Sequence, residues 1–180
     1  MVAFTKLILL ASTVAASIFP LPPPVLGNNN DSLIITDIKK NILPQLDTLS
    51  KDIFDFPGSG AAGAEKINHD VNTLIQTFKV ATVNVEAGGF DVLQIPTLLA
   101  QLEPLVPKLT AMLIKIGKNA PAWNKFEKPE LARQELEEGK TVLLNYLDAL
   151  IKAVPGLQTT ADPVKDVLKK AFDEAIQFYA

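Results

Sequence analysis

The chain contains no cysteine, so no disulfide staples it, and neither thiolate metal ligation nor thiol catalysis is open to it. It has a single histidine, His69. That residue lies between Ile67 and Val71, about 200° around a helix from each, and is expected in solvent rather than in a site. Serine chemistry is equally poorly provided for. None of the five serines sits in G-x-S-x-G, and Ser12 and Ser17 fall within the leader described below. There is no E-x-x-H pair for a di-metal helical centre, and the run Glu135, Glu137, Glu138 has the pattern of a solvated face. Seventeen basic against 20 acidic residues give a net charge of −3, with no basic cluster interleaved with aromatics, which excludes a nucleic-acid surface. The expectation is a non-enzymatic protein with no catalytic residue, metal or cofactor.

A long hydrophobic run is also missing. The apolar stretch from Leu7 to Val14 is too short for a transmembrane segment; it follows Lys6 and precedes the small residues Ala15, Ala16 and Ser17. That is the layout of a signal peptide over residues 1–17, which predicts a secreted, extracellular protein. Residues 18–30 read as a Pro/Asn-rich linker, and Asn30-Asp31-Ser32 is a sequon at which glycosylation of Asn30 is expected. Residues 31–180 remain for one domain. With 48% hydrophobic residues and no disulfide, it must be held by apolar packing, which favours long amphipathic helices.

The stretch FPGSGAAG places Gly58, Gly60 and Gly63 in the order G-x-G-x-x-G, the fingerprint of a dinucleotide-binding turn. That fingerprint requires a buried strand ahead of it. Here Ile35, Ile38, Ile42, Leu46, Leu49 and Ile53 recur at helical spacing instead, with Pro44 expected to kink the helix and Pro57 to end it. A second stripe follows through Ile67, Val71, Leu74, Ile75, Phe78 and Ala81. The glycines therefore read as a helix–helix turn, with Ser59 as N-cap and Gly58 supplying the left-handed residue.

Gly88-Gly89 breaks the chain, and 92–116 reads as a third helix bent at Pro104 and Pro107. Pro129 opens a fourth helix, with its stripe from Leu136 to Val154, and Asp162-Pro163 opens a fifth. The fold class is all-α: a single up-and-down bundle of about five amphipathic helices. Trp123 and Phe126, in the loop before helix four, fit either loop-capping core residues or exposed binding aromatics. Helix three carries more apolar surface than one packing stripe needs. Leu102, Leu105 and Leu109, with Leu74, Phe78, Leu147 and Ile151 from neighbouring helices, either fill a bundle core or line an apolar ligand cavity.

The segments DIKKNILPQLDTLSKDIFDFPGSGAAGAEKINHDV, ATVNVEAGGF, LLAQLEPLVPKL, KNAPAWNKFEKPEL and DVLKKAFDEAIQFYA span nearly everything after Asn30. In these the chain resembles the fungal hydrophobic surface binding protein A family, which includes the antigenic cell-wall galactomannoproteins. The resemblance implies a secreted helical protein that binds a fatty acid or other apolar ligand, or a hydrophobic solid surface, with a secreted polyester hydrolase as partner. It equally admits a structural, antigenic cell-wall mannoprotein whose bundle is merely well packed. Cell-wall members often carry a Ser/Thr-rich, lipid-anchored tail, whereas this chain stops at Phe178-Tyr179-Ala180, so a freely secreted form is expected.

Overall fold

The structure, a computed structural model, describes residues 32–126, 129–154 and 156–180. The expected leader, the linker and Asn30 lie outside the described residues. Among those residues there is no strand, and no helix is long and apolar enough to cross a membrane.

Helix α1 (Leu33–Asp37) starts at Ser32, whose Oγ accepts the Ile35 amide. It runs through a π-helical turn, Ile38–Ile42, into α2 (Leu43–Asp55). A smooth kinked helix is expected here from Pro44. Instead Pro44 sits in the first turn of α2, where no amide donor is needed, and the irregularity lies just upstream: the Leu43 amide reaches back to the Ile38 carbonyl, five residues away. Phe56, held extended ahead of Pro57, ends α2.

Helix α3 (Gly60–Glu86) follows with Ser59 in the N-cap position. Two expectations for this turn are corrected. The Ser59 side chain makes no capping bond, and the left-handed residue is Gly60 (φ 62°) rather than Gly58. The positive φ falls where the chain reverses into α3.

The predicted third helix is not one bent rod. A 3₁₀ turn (Val92–Gln94) leads into α4 (Ile95–Leu102), the helix breaks at Glu103-Pro104, and α5 (Leu105–Lys118) begins anew. Pro107 lies in the first turn of α5, where its missing donor costs nothing. After the one-turn α6 (Ala120–Trp123) come α7 (Pro129–Ala153) and α8 (Gln158–Gln177). Helix α8 starts ahead of the expected Asp162-Pro163. Pro163 is tolerated inside it because the carbonyl it deprives of a donor belongs to exposed Thr159.

The five long helices alternate in direction along the chain and close into a ring. Helix α2 packs on α3, α3 on α7, α7 on α8, α8 on α5, and α5 back on α2. Each contact carries a polar tie. Lys66 pairs with Asp52 at 2.9 Å, Lys79 with Glu138 at 2.8 Å, Lys140 with Asp173, and Lys108 with Asp47; the Tyr179 hydroxyl donates to the Ile116 carbonyl at 3.1 Å. The ion pairs are partly exposed to solvent and worth about 0–1 kcal/mol each, so they set register, while the apolar interior supplies the stability.

At the α2–α3 contact two carboxyls share a site. Burial pushes Asp52 up, but bonds from Lys66 and Asp70 outweigh it and hold the group below the usual carboxylate range. Asp70 lies above that range, through burial and then through its bond with Asp52.

Candidate apolar ligand cavity

Inside the ring, toward the end where α2 turns into α3, lies a cavity of ≈ 110 Å³, partly open to solvent. One buried water needs only about 10–15 Å³. Every long helix contributes to its wall at the same axial level: Leu49 and Ile53 from the end of α2, Ile67 to Phe78 from the N-terminal and central part of α3, Leu109 to Ile116 from the central and C-terminal part of α5, Ala132 to Leu143 from the N-terminal and central part of α7, and Phe172 from α8. An aromatic cluster closes one end. Phe56 meets Trp123 edge-on at 4.9 Å between ring centroids and Phe126 at 5.9 Å, and the Asn119 amide donates to the Phe56 carbonyl at 3.1 Å. Trp123 and Phe126 are thus core-packing residues, with Trp123 itself on the cavity wall.

The wall is apolar or aromatic except for Asn68, Asn119, Glu135 and Gly139, and none of the described lining residues is basic. Asn68 is 8% exposed, and its Oδ1 has no hydrogen-bond partner. Glycine is equally unusual inside a 25-residue helix, where it costs about 1 kcal/mol relative to alanine. A Cβ added at Gly139 would meet nothing nearer than the Phe172 ring, at 3.7 Å.

Of the residues predicted to line an apolar space, Leu74, Phe78 and Leu109 are on this wall. Leu105, at the start of α5, and Leu147, in the later part of α7, are buried, and Ile151, near the end of α7, and Leu102, in α4, are half-buried; all four are off the wall. His69 is exposed. Asn68 and Gly139 are not members of the expected apolar stripes and Glu135 reads as part of a solvated face, whereas Met112 and Phe172 belong to the stripes of 92–116 and of the last helix without being marked out as cavity residues. Two of them left a trace in the sequence: Asn68 falls in the apolar register Ala64, Asn68, Val71, Ile75, Phe78, and Gly139 interrupts an otherwise strong helix-forming segment.

Beyond Phe78 the interior holds a second polar group. The Tyr146 ring packs 5.3 Å from Phe78, and its hydroxyl is buried without a partner. Burial first, and the charge of Asp37 second, push that phenol above its ordinary range. Asp37 is itself occupied, accepting from Asn41 at 2.9 Å and Asn84 at 2.7 Å. Because an unmade buried hydrogen bond costs about 1–3 kcal/mol, Tyr146→Phe should stabilise the protein by about 1 kcal/mol in chemical denaturation. A loss of similar size would mean that the hydroxyl is bonded, for example through a buried water.

No protein-family model matches the sequence, and neither does any curated protein. Solved structures do match the fold. The chain is similar to AfMP4p in complex with palmitic acid, with a TM-score of 0.74 and 18% identity over 82% of this chain and 97% of that one. It is also similar to ligand binding domain 1 of the Penicillium marneffei MP1 protein complexed with arachidonic acids, with a TM-score of 0.73 and 11% identity over 82% and 97%. Ligand binding domain 2 of the same protein, complexed with multiple arachidonic acids, gives a TM-score of 0.68 and 13% identity over 82% and 92%. At such identities the likeness establishes a shared helical fold.

Proposed function

We propose that this protein is a non-enzymatic carrier of a single-chain lipid, a fatty acid or a close relative, held in the cavity at the centre of the five-helix ring. The observation that carries this reading is the cavity itself: a space of ≈ 110 Å³ walled by apolar side chains from all five long helices. A helical bundle has no packing reason to keep such a space, since protein interiors are normally close-packed. Further support comes from the same fold occurring in proteins solved with palmitic and arachidonic acids. The signal-peptide pattern of residues 1–17 adds the inference that the carrier acts outside the cell.

The chemistry asked of the site is modest. Each methylene moved from water into the wall contributes about 0.8 kcal/mol, so a long acyl chain reaches about micromolar affinity or better without a strong polar contact. Native mass spectrometry of the purified protein, stripped of lipid and exposed to palmitic acid, should show the mass of protein plus acyl chain. Circular dichroism would confirm that the stripped sample is helical. A folded, stripped sample that takes up no fatty acid of any chain length would defeat the reading.

A further inference from the structure

Resting on the acyl-chain reading of the cavity, we propose that Asn68 is the head-group anchor, and that it selects a neutral head able to donate a hydrogen bond. The class is a protonated carboxylic acid or a primary alcohol, in preference to a carboxylate or an ester.

Asn68 occupies an apolar slot of α3, between Ala64 and Val71 in the register that faces the interior, and it lines the cavity at 8% exposure. An aliphatic residue there would pack without penalty. Buried polar side chains almost always find partners, yet the Asn68 Oδ1 has none within the protein. Of the other amides on the wall, Asn119 is committed to the Phe56 carbonyl. Of the buried tyrosine hydroxyls, that of Tyr179 is on the wall but donates to the Ile116 carbonyl, and that of Tyr146 is not on the wall. The Asn68 Oδ1 is therefore an open acceptor that the cavity wall offers a ligand.

The missing partner has a definite chemistry. Oδ1 is an acceptor and is satisfied only by a donor; a carboxylate has none, whereas a protonated acid and an alcohol each bring one hydroxyl. A carboxylic acid can also accept from the amide nitrogen, closing a two-bond ring with the same side chain. Transfer into an apolar wall favours the neutral form of the acid in any case, because burial raises a carboxyl pKa. The site would thus take a fatty acid together with its proton.

The test uses the stripped, full-length protein with three probes of one chain length: palmitic acid, the corresponding alcohol and the methyl ester, each competing against a fluorescent fatty-acid probe. The alcohol should bind about tenfold or more tightly than the ester, which has no donor for Oδ1. The affinity of the acid should fall as pH rises from the ionisation of the free acid to the raised value of the bound one, while that of the alcohol stays flat. Asn68→Leu should remove the preference, bringing alcohol and ester to within about twofold while ester binding persists. Equal binding of alcohol and ester by the unmutated protein, or a preference that survives Asn68→Leu, overturns the anchor. The wild-type comparison stands even if the leucine variant does not fold. Absence of binding by all three probes to folded protein overturns the acyl-chain reading itself, and that result is distinct from an indifferent head-group series.

Discussion

Replacing Gly139 with leucine should weaken uptake of a long acyl chain by about a hundredfold while leaving the five-helix ring folded. Gly139 lies in the middle of α7, flanked on the cavity wall by Leu136, Val142 and Leu143. The backbone there is helical with negative φ, so any residue is sterically allowed. An added Cβ meets Phe172 at ordinary contact distance. Alanine at this position should accordingly stabilise the helix, by about 0.5–1 kcal/mol, and leave binding nearly unchanged. The isobutyl group of leucine extends further, into the space that the acyl chain would occupy. Three or four methylenes of ligand displaced from the wall weaken binding by about a hundredfold. Isothermal titration of the two variants against palmitic acid checks this, with circular dichroism as the control for folding. Unchanged binding by the folded leucine variant would place the lipid somewhere other than this cavity.

The glycine shows what a single sequence makes legible. Periodicity identifies which face of each helix is buried, because apolar spacing repeats with the helical turn, and this was enough to place the all-α bundle and to dismiss the dinucleotide fingerprint. It carries no information on axial level. Leu105 and Leu147 have the correct phase and are buried, yet they lie toward the opposite ends of α5 and α7 from the cavity. Reading 92–116 as one bent helix also put Leu102 in line with Leu109. The break at Pro104 instead assigns Leu102 to α4, a separate helix. Which residues share a level depends on how far each helix slides along its neighbour, and that is fixed by ties such as Lys79–Glu138 and Tyr179–Ile116, between residues far apart in the sequence. The informative local signals were departures from the pattern: a polar Asn68 in an apolar register, and Gly139 where helix propensity favours alanine.

Leu150→Ala should cost about 3–5 kcal/mol of stability. Leu150 is fully buried in the second half of α7 and does not line the cavity. Truncation there loses the transfer energy of the removed carbons and leaves a void with no route to solvent, whose cost rises by about 24 cal/mol per Å³ that fails to collapse. With no cysteine in the chain, no disulfide offsets the loss. Since domains of this size are stable by only about 5–15 kcal/mol, the variant should melt far below the parent. Leu109→Ala removes the same atoms from the cavity wall and provides the contrast. Its void merges with an existing space that a ligand can fill, so its apparent cost should shrink as palmitic acid is added, because a ligand bound only by the folded state stabilises that state by mass action. The Leu150→Ala deficit should not be repaired in this way. Chemical denaturation of both variants, with and without fatty acid, separates the two cases: equal recovery in both would mean that the cavity and the core at Leu150 are not distinct compartments.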